Sequence, residues 1–293
     1  MTKSMDKIYK KLVKIVEATR IINGKDELEK YLHDSARLPR FAGLLFNTQP
    51  DYIVKPLTSD EISKLIKLAC IENMPITCRG AGLWGLDGAV PTQGGIILDM
   101  SLMNHVLRVD EENLEIEVEA GAAWKKVFNV AQEDKLTIGT YPHIGVNSTV
   151  GGWLSTERVG IGNYKYGSVR SNIRSMEVVM PEGHIINTGF NKVLSNSAGY
   201  NLNGLFLGAE GTLGIITKVT LKAYPAQDLT KSVAIEFENL KAAYATLKTL
   251  ARSKLVPLNI MFSDENHPRI LSYLGGDSAR KKAMINVTLE GSK

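Results

Sequence analysis

Cysteine is nearly absent: the 293 residues carry two, Cys70 and Cys78. Two cysteines exclude an iron–sulfur cluster of the four-cysteine kind. Without an export signal a disulfide is not expected, and both read as small packing residues. Histidine is also sparse, with His33, His105, His143, His184 and His267 scattered along the chain. Isolated histidines do not make a metal site, which needs several ligands at close spacing. Long apolar runs are missing: nothing approaches the ~18 residues of a membrane span. The N-terminus sets Ile8, Leu12, Ile15 and Val16 at helical spacing among lysines. It lacks the apolar core of a signal peptide, so a cytoplasmic location is the expectation. Charge of one sign is not concentrated either. The net +4 is spread out, whereas a nucleic-acid partner calls for a concentrated basic face.

What is present is an ordinary globular composition, 44% hydrophobic and 23% charged. That length can bury a sizeable core in one large or two smaller domains. Residues 5–20 and 24–33 read as helices, and 51–56 as a short strand. Thr58 or Ser59 caps a helix over 60–72 that buries Ile62, Leu65, Ile66 and Ala69. Strands are expected at Ile76–Arg79 and Gly95–Leu98. The alternation of Leu114–Ala120 with Glu115, Glu117 and Glu119 reads as a half-exposed strand. A helix over 123–134 follows, then a loop over 137–152 rich in Gly, Pro, Ser and Thr. Two strands bracket the turn Pro181-Glu182-Gly183, and Gly211–Tyr224 is another strand. After Pro225 come a strand (Val233–Phe237), a helix (Leu240–Ser253), a strand (Leu258–Phe262), partial helix over 267–282 and a last strand (Ile285–Leu289).

The loop after the strand at residues 76–79 reads Arg-Gly-Ala-Gly-Leu-Trp-Gly-Leu-Asp-Gly-Ala-Val-Pro, so Gly80, Gly82 and Gly85 fit G-x-G-x-x-G. Asp99 stands 19 residues past Gly80, as in a dinucleotide-binding fingerprint. That fingerprint needs a helix to open at the third glycine. Gly88, Pro91, Gly94 and Gly95 forbid one over 86–95. The glycines therefore form a strand–loop–strand turn, either a plain hairpin loop or an anion cradle of successive amides.

Three further stretches follow in order. Residues 149–156 read Thr-Val-Gly-Gly-Trp-Leu-Ser-Thr; residues 176–183 read Met-Glu-Val-Val-Met-Pro-Glu-Gly; residues 208–217 read Gly-Ala-Glu-Gly-Thr-Leu-Gly-Ile-Ile-Thr. This ordered set, with the glycine loop and Tyr166-Gly167, resembles the FAD-binding domain of the vanillyl-alcohol oxidase / p-cresol methylhydroxylase (PCMH-type) family. That family includes FAD-linked glycolate oxidase subunits, D-lactate dehydrogenases and alkyldihydroxyacetonephosphate synthase. The resemblance runs from about Asp51 to Pro225 and is weaker over the N-terminal helices.

The resemblance implies an α+β chain. A two-subdomain PCMH-type FAD-binding fold would occupy residues 1–225, with N-terminal helices in 1–50, and a partial α/β cap 226–293. It implies a pyrophosphate wall made by the amides of Gly80, Ala81, Gly82, Leu83, Trp84 and Gly85, with Arg79 as a phosphate partner or, more in keeping with the family, a structural residue. A second wall holds Pro142, Gly145, Ser148, Thr149, Gly151 and Gly152, with Ser155 and Thr156 facing the ring and His143 near it. Glu210 and Gly211 fall to the adenosine half, beside the backbone of Ile215 and Ile216. Trp153 makes this stretch look more like the synthase branch, and Glu157-Arg158-Val159-Gly160 replaces the Asn-Ala-Gly-Gly of the glycolate oxidase branch; Trp153 is equally a plain core aromatic. Some members link flavin through a loop histidine; Leu83 and Trp84 stand there, so non-covalent FAD is expected. No catalytic residue can be named, because the cap of such proteins supplies them and only 68 residues follow Pro225. The expected activity is oxidation of a 2-hydroxy acid by hydride transfer to flavin, with a synthase-like reaction or a non-catalytic FAD-holding subunit as alternatives. A small-molecule substrate is expected, together with a second polypeptide that completes the cap or accepts electrons, or else a homodimer.

Overall fold

The computed structural model describes residues 3–35, 45–86, 88–143, 146–193, 197–267 and 282–292. The chain opens with α1 (Lys3–Leu12), which ends well before residue 20. The β-branched Val13, Ile15 and Val16 disfavour its continuation, and the chain turns instead through a 3-10 turn at Ala18–Arg20 into β1 (Ile21–Ile22). The second expected helix is shorter as well: α2 (Lys25–Leu28) passes directly into a 3-10 turn at Glu29–Tyr31.

β2 (Tyr52–Val54), α3 (Ser59–Glu72), β3 (Ile76–Arg79) and β4 (Ile96–Asp99) complete the first sheet, whose order is β1-β2-β4-β3. β2, β4 and β3 run parallel, and β1 is an antiparallel edge. Thr58 caps α3 by accepting the Glu61 amide at 3.2 Å, and Asn73 ends it in the left-handed conformation. The buried face of α3 (Ile62, Leu65, Ile66, Leu68) packs with Leu12, Tyr52, Val54, Ile96 and Leu98. Arg20 clamps Glu61 through two bonds of 2.7 and 2.8 Å, fixing the N-terminal segment to the start of α3.

The second sheet is antiparallel. It contains β5 (Val106–Asp110), β6 (Glu115–Glu119), β7 (Leu136–Ile138), β8 (Ile173–Val179), β9 (Ile185–Gly189) and β10 (Ile215–Pro225). Its order is β5-β6-β10-β8-β9, with β7 on the far end of β10. α4 (Trp124–Glu133) and α5 (Val150–Thr156) cover one face, where Trp124 and Trp153 meet edge to face at 5.2 Å. Two expectations are corrected here. β6 is not half-exposed: it lies between β5 and β10, and Glu115 and Glu119 are buried. Glu115 accepts the Lys192 amide at 2.7 Å and lies 3.7 Å from Arg108 and Arg174. The stretch 137–152 is not all loop, because β10 recruits β7 and α5 begins at Val150.

The two sheets share a seam. Val179 and Ile215 of the second sheet join the core of the first. Glu177 on β8 accepts from Ser59 on α3, from Thr217 at 2.8 Å and from Lys218 at 3.0 Å. After β10 a third sheet forms from β11 (Leu229–Phe237), β12 (Asn259–Ser263) and β13 (Ala283–Gly291), in the order β11-β13-β12. Between β11 and β12 lies the helix Leu240–Arg252. This sheet is tied to the short helix Asn163–Tyr166 through Glu290, which accepts from Lys165 at 2.8 Å and from the Tyr166 hydroxyl. The helix expected within 267–282 falls largely outside the described residues. Among the described residues no helix is long and apolar enough to cross a membrane.

Candidate functional site

Where the first and second sheets part, they leave a cavity of about 500 Å³. Cys78 and Met100 line it from the first sheet, and Ala120, Ile215 and Ile216 from the second. The glycine loop forms one rim through Gly80, Ala81, Gly82, Leu83 and Trp84. The opposite rim is Ser148, Thr149 and, from α5, Gly151, Gly152, Trp153, Ser155 and Thr156. Glu210 and Gly211 close the third side.

Of the remaining four expected residues, Arg79, Gly85 and Pro142 are not on this wall. The Arg79 guanidinium turns outward, donating to the carbonyls of His33 at 3.0 Å and Ala89 at 3.3 Å and lying over the Tyr31 ring. These contacts are those of a structural clamp. The Gly85 amide donates to Asp34 Oδ2 at 2.8 Å and so is taken from any ligand. Pro142 is buried away from the cavity. Gly145 lies outside the described residues, and His143 is exposed.

The donors divide sharply. The amides of Gly80, Ala81, Gly82, Leu83 and Trp84 make no hydrogen bond to any described residue. Gly151, in contrast, donates to the Ala120 carbonyl at 2.7 Å, and Gly152 to Thr149 Oγ1 at 3.3 Å. The helical glycines are therefore spacers, not donors. A Cβ on Gly151 would stand 2.7 Å from the Ala120 Cβ, so α5 can lie against β6 only without one. Ser155 and Thr156 turn their hydroxyls back to the carbonyls of Gly151 and Trp153, at 2.8 and 3.0 Å. Ser148 Oγ is buried with no partner among the described residues. Glu210, in a left-handed conformation, donates its amide to the Ser155 carbonyl at 3.0 Å and ties the third side to α5.

Several wall residues were not singled out from the sequence. Cys78 shares a face with Gly80 by strand alternation, a legible signal. Burial, with Asp99 nearby, pushes its thiol up to about 12, so it is an inert wall group. Arg158 stacks its guanidinium 3.7 Å over the Trp84 ring and joins the two rims. Nothing local in the sequence announces that pair.

The cradle fits a dinucleotide. A run of unpartnered amides suits a pyrophosphate, and the aliphatic floor suits flat rings.

Comparison with known proteins agrees. Residues 50–189 match the FAD binding domain family. The glycolate oxidase subunit GlcD of Bacillus subtilis is 34% identical over 220 residues, covering 75% of this chain and 47% of that protein. The mitochondrial D-lactate dehydrogenase (cytochrome) 1 of Saccharomyces cerevisiae is 33% identical over 274 residues, 89% of this chain and 46% of that protein. The D-lactate dehydrogenase of Archaeoglobus fulgidus is 35% identical over 226 residues, 77% and 50%. The chain thus spans about half the length of the curated relatives it matches. Among solved structures, an alkyldihydroxyacetonephosphate synthase superposes with a TM-score of 0.82 at 23% identity, over 98% of this chain and 56% of that one. p-Cresol methylhydroxylase follows with 0.77 at 18%, over 100% and 62%. At those identities the likeness speaks for the fold. With fold, cavity and relatives in agreement, residues 50–189 of this chain form an FAD binding domain, and the chain shares the fold of p-cresol methylhydroxylase.

Proposed function

We propose that this chain holds FAD non-covalently in the cavity between its first two sheets and takes part in oxidising a 2-hydroxy acid such as glycolate or D-lactate. The observation that carries the reading is the run of five consecutive amides, Gly80 to Trp84, left without a described partner in residues that line the cavity. The substrate class follows the named relatives, glycolate oxidase and D-lactate dehydrogenase, at 33–34% identity. Bound there, flavin supplies a two-electron acceptor for the substrate hydride. The glycine-loop amides bind the pyrophosphate, and Ile215 and Ile216 offer backbone and side chain to the adenine. Trp84 and Arg158 shield the mouth from water. Leu83 and Trp84 offer no nucleophile for a covalent link. The base that takes the hydroxyl proton comes from outside this wall. Edge strand β11, exposed along most of its length and with Val233 and Ile235 uncovered, offers a place to dock.

A second reading, synthase-like turnover without net oxidation, is favoured by the Gly-Gly-Trp-Leu-Ser-Thr stretch of residues 151–156. One set of measurements separates the two. The purified protein with its native partners should be yellow, and acid precipitation should release all colour to the supernatant. Anaerobic glycolate or D-lactate should then bleach the bound flavin. Flavin that stays oxidised with every 2-hydroxy acid would support the second reading. A colourless protein that takes up no FAD would overturn both.

A further inference from the structure

We propose that residues 31–35 are a strap that pre-sets the glycine loop for its cofactor, with Asp34 as the positioning residue. This inference rests on the flavin reading of the cavity. The strap lies upstream of the matched FAD binding domain, yet it grips the loop from several sides. Asp34, 5% exposed, accepts the Gly85 amide at 2.8 Å. The His33 carbonyl accepts from Arg79 at 3.0 Å, at the entrance to the loop. The Tyr31 ring lies 5.1 Å from the Arg79 guanidinium, and its hydroxyl donates to Asp99 at 2.7 Å, where β4 ends beside β3. Ser35 reaches the cavity wall itself.

The physical need is plain. Gly82 and Gly85 both adopt positive φ, and glycine-rich loops lose the most backbone entropy on ordering. A loop held at both ends before the ligand arrives avoids that loss at binding, which is the usual source of affinity by pre-organisation. Asp34 fixes the far end at Gly85, and the His33–Arg79 contact fixes the near end. The same bond engages the Gly85 amide, while the five upstream amides have no described partner. Asp34 touches no ligand; it acts through the loop.

The test uses the apo-protein, titrated with FAD and followed by flavin fluorescence, with loop hydrogen exchange as a second readout. Asp34→Ala should raise the FAD dissociation constant about tenfold, the size of one lost hydrogen bond to a charged group. The Gly85 amide should exchange faster, while the amides of β4 hold. Asp34→Asn keeps an acceptor oxygen and should stay within about threefold of the parent. Tyr31→Phe, which removes one hydroxyl, should weaken binding about threefold and serves if Asp34→Ala does not fold. Parent-like affinity in both Asp34→Ala and Tyr31→Phe would overturn the strap, as would Asp34→Asn failing as badly as Ala. A parent that binds no FAD would overturn the flavin reading alone. Unchanged loop exchange in Asp34→Ala would overturn the strap whatever the parent binds.

Discussion

Gly82 shows how one residue can decide a site. It sits at φ +64°, and the space a side chain would occupy is filled by the Arg79 guanidinium. A valine there would meet backbone strain of about 1–3 kcal/mol and would push Arg79 off the His33 and Ala89 carbonyls. Gly82→Val should therefore raise the FAD dissociation constant at least about tenfold, with an unchanged far-UV CD spectrum. Equilibrium dialysis against FAD is the check, and a valine variant that binds like the parent would remove position 82 from the flavin wall. Glu115 teaches the opposite lesson about single residues. Its alternation with Ile116 and Val118 suggests a solvated face, but tertiary partners bury it.

At the scale of elements, helices here divide by what makes them stable. α3 carries its own signals: a Thr58 cap, acids in the first turn and a left-handed Asn73 at the end. Thr58→Ala should cost about 1 kcal/mol, read as a lower urea midpoint with an unchanged m-value. A midpoint within error of the parent would show that the Ser59–Glu177 contact, not the cap, holds that end. α5 also has a threonine cap, Thr149, and a left-handed end at Glu157, but these do not suffice. It is seven residues long with two glycines, a composition that disfavours helix. It forms because Gly151 packs on Ala120, Val150 donates to the Ala122 carbonyl at 2.8 Å, and Trp153 and Leu154 are buried.

For the whole molecule, Glu177 is the joint between the two large sheets. Burial pushes its carboxyl up, but hydrogen bonds from Ser59, Lys218 and Thr217 outweigh that and hold it below the ordinary 4.5. Its folded pKa is thus lower than its unfolded one. The ionised joint contributes stability above the unfolded value, and that stability is lost as pH falls through the folded one. Glu177→Gln should therefore melt well below the parent near neutral pH. The gap between their Tm values should close as pH falls below the ordinary carboxylate range. Calorimetry across pH is the measurement. A gap that stays constant into acid would mean that the charge of Glu177 does not hold the sheets together.

By itself the sequence determined the strands, the capped helix, the glycine loop and the ordered set of stretches around a flavin, because each rests on local chemistry: alternation, caps, and glycines where backbone must approach a ligand. Tertiary structure alone decided which of those residues face the cavity. Arg79 and Gly85 are adjacent to the loop in sequence, yet His33 and Asp34, about 50 residues away, draw them aside. Gly151 reads as a donor, but Ala120 takes its amide. Arg158 stacks on Trp84, which lies in another loop. In each case the deciding partner is distant in the chain, and no local pattern encodes a hydrogen bond or a stacking contact across that span.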